Sequence, residues 1–146
     1  MIRKFDENDL NNVMKIWLNT NIETHCYIPD SYWKNNYEKV KESFPQAEIY
    51  VYEDATTEQV IGFIGLMGDY LAGFFVSNFF QSKGVGKELI SYVKNIKSSL
   101  ELSVYQKNVR AIRFYERENF VILSEGLDEN TNEKEFLMKW MKESND

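Results

Sequence analysis

The sequence predicts a mixed α/β fold, a mostly antiparallel sheet of six to seven strands flanked by about four helices. Three observations predict it. Two early stretches space their apolar residues as helices do, three β-rich runs follow one another across short turns, and the later half alternates helix-like with strand-like segments. The order is β-α-α-β-β-β-α-β-α-β-β. A chain of 146 residues has the length of about one domain, so residues 1–146 are read as one.

Ile2 to Phe5 is a short apolar strand. Leu10, Val13, Met14, Trp17 and Leu18 then mark one helical face, and Asp6 with Asp9 resembles a helix N-cap. Asn19 to Ile28 reads as a loop and carries the only histidine, His25. Pro29-Asp30-Ser31 opens a second helix with Trp33, Tyr37, Val40 and Phe44 on one stripe, and Pro45 closes it. Ile49 to Tyr52, Val60 to Met67 and Tyr70 to Val76 are three antiparallel strands. They are joined by the polar turn Asp54 to Glu58 and by Gly68-Asp69. Gly84 to Lys97 repeats Val85, Leu89, Val93 and Ile96 at helical spacing. Leu100 to Tyr105 is a strand, Val109 to Glu118 a short helix, and Phe120 to Leu123 a strand. Ser124 to Lys134 is polar and acidic and reads as an exposed loop, and Phe136 to Met141 closes the sheet.

Composition narrows the function. Apolar residues make up 43% and aromatics 15%, which supplies a core and excludes general disorder. No apolar run approaches the roughly 20 residues that span a bilayer, and Met1 to Asp6 lacks the apolar segment of a signal peptide. A membrane partner is therefore not expected. One cysteine, Cys26, reads as a small apolar filler and fits a reducing, cytoplasmic setting. The net charge of −6 argues against a nucleic-acid partner and suits a cationic one. One histidine and one cysteine give no metal-ligand spacing, so no metal is expected.

The chemistry-bearing stretch is Val76 to Leu89, where a strand ends, a loop follows and two glycines start a helix. Helix N-termini present unpaired N–H groups and partial positive charge, so this is an anion site, with Lys83 and Lys87 adding charge. A Walker loop fails, because Gln81 stands at its first glycine and Glu88 follows Lys87. A dinucleotide fingerprint fails at Leu89. What remains is Q-x-x-G-x-G, formed by Gln81, Gly84 and Gly86. Downstream, Asn108, Ala111, Phe114, Tyr115, Asn119 and Phe120 fit N-x-x-A-x-x-F-Y-x-x-x-G-F with asparagine for the glycine.

Together these blocks resemble the GNAT N-acetyltransferase family, over essentially the whole chain, and the small bacterial acetyltransferases within it in particular. The resemblance implies the GNAT fold and direct transfer of an acetyl group from acetyl-CoA to a primary amine. The acceptor is read as a protein lysine or, alternatively, a small cationic amine such as a polyamine, amino acid or aminoglycoside. A non-catalytic acyl-CoA-binding module is a further alternative. The resemblance places the cofactor between the fourth and fifth strands, with the backbone of Phe74, Phe75 and Val76 on the pantetheine arm. It puts Gln81, Ser82, Lys83, Gly84, Val85, Gly86 and Lys87 on the pyrophosphate and Asn108 beside the cofactor. Tyr115 becomes the general acid for the leaving thiolate, since a phenol is a workable proton donor to a thiol-class group.

The base stays open. Some relatives carry glutamate where this chain has Ser103. Glu101, Ser103 and Tyr105 share a strand face, so Glu101 acts through water, Ser103 orders that water, or no dedicated base exists. His25 reads either as a base, by its pKa range, or as an ordinary loop histidine. Trp33, Tyr37 and Tyr70 are candidate rings for a cationic acceptor, with Trp33 and Tyr37 equally read as core. The acidic run Asp128 to Glu133 reads as a solvated loop or, alternatively, as a means of steering a lysine-bearing substrate. The oligomeric state is not readable.

Overall fold

In the computed structural model, residues 1–81 and 83–143 are described. Seven strands form one sheet in the order β1-β2-β3-β4-β5-β7-β6. They are β1 (Ile2–Lys4), β2 (Glu48–Glu53), β3 (Val60–Met67), β4 (Tyr70–Val76), β5 (Ser99–Tyr105), β6 (Val121–Asp128) and β7 (Glu133–Met141). The helices are α1 (Leu10–Thr24), α2 (Asp30–Ser43), α3 (Val85–Ile96) and α4 (Val109–Arg117). Every strand pair is antiparallel except β4 with β5, which is parallel.

Helices cover both faces of the central strands. On one face Met14, Trp17, Trp33 and Phe44 pack with Ile49, Val51 and Phe63. On the other, Leu89, Ile90, Val93 and Ile112 pack with Ile64, Leu66, Leu100, Leu102 and Met138. Burial on both sides explains why β3 reads as a continuous apolar run rather than an alternating one. Asp6 and Asp9 form the expected capping box, with Asp9 Oδ2 accepting from the Asp6 amide at 2.8 Å. Arg3 clamps the same carboxylate at 2.8 and 2.9 Å. No helix among the described residues is long and apolar enough to cross a membrane.

Two expectations are corrected. Asn19 to Thr24 belongs to α1, so the loop before α2 spans only residues 25–29. The asparagines and threonines there have weak helix propensity, but burial of Thr20 and Asn21, and the bond from Asn21 Nδ2 to Trp17 O at 2.9 Å, carry the helix on. The stretch Ser124 to Lys134 is mostly strand, because β6 runs to Asp128 and β7 begins at Glu133. The sheet ends at β6, where one edge is unpaired and most residues are exposed. It therefore shows no apolar alternation. Asp128 folds the turn, its carboxylate accepting from Asn130 N–H at 3.0 Å. Asn119, at the family's glycine position, has φ of 70°, the left-handed conformation that asparagine tolerates.

Candidate active site

β4 and β5 start together and then part. Tyr70 pairs with Glu101, and Glu101 N–H donates to Asp69 O at 2.9 Å. Beyond that the strands carry no further registered pair among the described residues. A bulge lies behind the divergence. Gly65 pairs with Gly73 and Leu66 with Leu71, so Ala72 is an extra residue that bends β4. The result is a gap between β4 and β5 that widens toward their C-terminal ends.

The ladder decides which backbone groups face that gap. Ser77 N–H donates to Ile61 O at 2.8 Å, which makes this a hydrogen-bonded antiparallel pair. Stepping back by two, Phe75 turns its N–H and C=O to β3, and Phe74 and Val76 turn theirs to the gap. Of the three backbone positions expected on the cofactor, Phe75 is therefore committed elsewhere, with its ring 5.5 Å from Phe63. Val76 O accepts from Gln81 Nε2 at 2.9 Å, which leaves the Val76 N–H and both Phe74 groups.

Past β4 the chain turns into α3 through Gly84, whose φ of +86° is left-handed backbone. The amides of Val85, Gly86 and Lys87 are first-turn donors without helical partners. Val85 anchors the turn in the core, and Gly86 places only hydrogen beside the Phe74 ring, which a Cβ would meet at 3.4 Å. Lys83 lies over the rings of Phe79 and Phe80 at 5.2 and 5.8 Å, and Lys87 is exposed. Ser82, expected among these groups, lies outside the described residues.

Opposite stands the start of α4. Asn108 Oδ1 caps the helix by accepting from Ala111 N–H at 3.2 Å, which directs its amide nitrogen elsewhere. Arg110 donates to Gln81 Oε1 at 2.9 Å, so Gln81 ties α4 to the end of β4. A cleft of about 470 Å³ opens here, lined by Glu23, Thr24, Asn78, Gln81, Asn108 and Arg110. Tyr115, five residues beyond Arg110 on α4, is buried among Phe74, Phe114 and Phe120 at ring distances of 6.2, 5.6 and 5.5 Å. Its hydroxyl has no hydrogen-bond partner among the described residues, and burial pushes its pKa above that of ordinary tyrosine.

On the α1–α2 face, Tyr70 and Ser103 are exposed. Glu101 meets Lys139 at 3.7 Å. His25 is not an ordinary loop residue. It caps the end of α1 and is buried among Tyr27, Trp33 and Tyr105 at ring distances of 5.8, 5.4 and 5.2 Å. Burial lowers its pKa to about 4, so it is neutral at neutral pH and too weak a base for an alkylammonium. Trp33 is buried between Trp17 and His25, and Tyr37 packs 6.5 Å from Trp17. Cys26 is exposed, not the apolar filler expected of it.

The His25 environment has a measurable consequence. Between the unfolded value near 6.5 and the folded value of about 4, only the unfolded chain binds the proton. Stability from this group is full above the unfolded value and falls as pH drops through that window. Urea unfolding at pH 7 and pH 5 is expected to show that loss in the wild type and a smaller one in His25→Gln. An equal loss in both contradicts the buried, neutral assignment.

Residues 45–122, more than half of the chain, match the family model of the acetyltransferase (GNAT) domain. The chain belongs to the GNAT acetyltransferase family. This GNAT acetyltransferase is 31% identical over 142 residues to the peptidyl-lysine N-acetyltransferase YiaC of Escherichia coli K12, covering 96% of each chain. Its fold matches apo YjaB from Escherichia coli with a TM-score of 0.83 at 20% identity, over 95% of each chain. A putative streptothricin acetyltransferase from Bacillus anthracis, solved with acetyl coenzyme A, matches with a TM-score of 0.59 at 26% identity, over 66% of this chain and 63% of that one.

The donor of this GNAT acetyltransferase is acetyl-CoA, and the residues present fit it. Unpaired amides on a left-handed glycine turn, with Lys83, Lys87 and Arg110 around them, suit a pyrophosphate. The free backbone groups of Phe74 suit the amides of a pantetheine arm. Among the described residues no group of three metal-ligating side chains gathers. Arg110 escaped the sequence reading because it occupies a variable position of the second block, and only its place two residues after Asn108 hinted at it. Asp128 belongs to the acidic run that the sequence offered as a guide for a lysine-bearing substrate. Tyr27 escaped because its segment read as loop, and Glu135 because it fell between the loop and the last strand.

Proposed function

We propose that this acetyltransferase acetylates protein lysine side chains by direct transfer, in the cytoplasm, with Tyr115 as the general acid. Acetyl-CoA, when bound, supplies an activated acetyl thioester. The loop amides from Gly84 to Lys87, with Lys83, Arg110 and Asn108, hold its phosphate end. The Phe74 main chain and the Val76 N–H orient its arm. Tyr115 holds a proton for the departing sulfur. Its raised pKa keeps the phenol protonated, and a thiol leaving into the same apolar gap has its own pKa raised by the same burial.

The observation that carries the reading is the Tyr115 hydroxyl, which sits on a ring packed among Phe74, Phe114 and Phe120, bonds no described residue, and is not one of the sealed-off polar atoms of the core. A hydroxyl left unbonded and not sealed in is free to give a proton to a group that enters the gap. The lysine acceptor is supported by the name of YiaC, the relative that aligns over nearly the full chain. No side chain is assigned as base, since His25 is neutral and buried, Glu101 is paired with Lys139, and Ser103 cannot accept a proton unaided. The acceptor gives its proton to water. The single free cysteine supports a reducing compartment.

The test is a thiol-release assay with acetyl-CoA against lysine peptides, free amino acids, polyamines and aminoglycosides. Lysine peptides are expected to give the highest kcat/KM. Turnover confined to small amines overturns the lysine reading and favours a small-molecule enzyme. Tight acetyl-CoA binding with no turnover on any amine overturns catalysis and favours an acyl-CoA-binding module.

A further inference from the structure

Among the described residues four buried side-chain polar atoms lack a hydrogen-bond partner: His25 Nδ1, Tyr27 OH, Trp33 Nε1 and Thr131 Oγ1. The first three belong to one ring cluster, in which His25 touches Tyr27, Trp33 and Tyr105. The fourth lies in the β6–β7 turn, where the Thr131 amide donates to Asp128 O. The two groups meet at Tyr105, whose hydroxyl donates to Asp128 Oδ2 at 2.7 Å. Thr131 and His25 have near neighbours in the Tyr105 hydroxyl and the Asn21 backbone, but the Tyr27 hydroxyl and Trp33 Nε1 have none. Buried polar groups are ordinarily satisfied, so these two donors in one ring cluster mark a site that a ligand completes.

The charge around the cluster gives the sign of that ligand. Glu135 is the strand partner of Tyr105, so the two side chains share a face. It is half-buried, and burial with the Asp128 charge raises its pKa. A carboxylate destabilised in this way gains from a nearby cation. The protein also places a cation of its own beside the cluster. Lys107 Nζ lies 5.2 Å from the centre of the Tyr27 ring and meets Glu133 at 2.7 Å.

We propose that Tyr27, Trp33, Tyr105, Asp128 and Glu135 form a subsite for a second cationic group on the acceptor, an ammonium or guanidinium other than the amine that is acetylated. The lysine version of this inference rests on the function proposed above. Tyr105 stands two residues along β5 from Ser103 on the same face, a separation of about 7 Å. That is the reach of a basic residue two positions from the modified lysine in an extended peptide, or of the far nitrogen in a short diamine. Tyr27, Trp33 and Tyr105 offer ring surface to the cation, Asp128 and Glu135 offer charge, and the Tyr27 hydroxyl and Trp33 Nε1 offer donors to a carbonyl beside it.

Matched acceptor pairs test this. One pair is a single-lysine peptide with neutral neighbours and the same peptide with arginine two positions away. The other is butylamine and 1,4-diaminobutane. The wild type is expected to favour the dicationic member of at least one pair about tenfold in kcat/KM, mainly through KM. In Glu135→Gln and Asp128→Asn that ratio falls toward one, with the acetyl-CoA dissociation constant as the check that each variant is folded. Equal kcat/KM within both pairs in the wild type overturns the subsite, as does a ratio that survives in both variants. Lysine peptides acetylated without regard to the flanking charge, with butylamine and 1,4-diaminobutane also used equally, leave the lysine reading standing and sink the subsite. Diamines favoured with no peptide turned over do the reverse.

Discussion

Replacing Tyr115 by phenylalanine is expected to lower kcat about a hundredfold, the scale of a lost general acid, with the acetyl-CoA dissociation constant unchanged. The substitution removes one oxygen from a ring buried among Phe74, Phe114 and Phe120. Because that hydroxyl bonds no described residue, its loss orphans no partner, and folding is not expected to suffer. A drop in kcat therefore reports the missing proton rather than a damaged core. Rapid-quench measurement of the transfer step, together with calorimetric titration of acetyl-CoA, checks both halves. Normal turnover in Tyr115→Phe would remove the acid role.

The second large effect belongs to the phosphate turn. Gly84 has space around a would-be Cβ but sits at φ +86°. A β-branched residue there is strained by roughly 1–2 kcal/mol in left-handed backbone, and the turn relieves that strain by moving the amides that follow. Gly84→Val is expected to weaken acetyl-CoA binding tenfold or more, with kcat at saturating donor much less affected. The pattern is the opposite of Tyr115→Phe. Calorimetric titration with acetyl-CoA reads it directly, and unchanged affinity would contradict the placement of the phosphates on this turn.

The parts of the fold that were legible share a cause. β3 and β4 are readable to the residue because Val60 to Met67 and Tyr70 to Val76 are mostly buried or half-buried runs broken by Gly68-Asp69. α3 is readable because Leu89 and Val93 face the core at helical spacing. The backbone features of the proposed donor side were equally legible, since the left-handed Gly84 and the capping Asn108 are backbone requirements that leave marks in sequence. What stayed hidden depends on tertiary contacts. The end of α1 is held by buried Thr20 and Asn21 rather than by propensity. β6 is an exposed edge with no period to read. The insertion of β7 between β5 and β6 brings Glu135 beside Tyr105 across 30 residues of chain, and no local pattern announces such a pairing. The side proposed for the acceptor was therefore the least visible, and its acidic run could be read equally as solvated loop or as a guide for a cationic substrate.

Initial-rate kinetics with acetyl-CoA and a lysine peptide, both varied, test the central claim most directly. Direct transfer across the β4–β5 gap predicts intersecting double-reciprocal lines, with acetyl-lysine in the peptide confirmed by mass spectrometry. Parallel lines, or no acetyl-lysine at saturating donor, would contradict it.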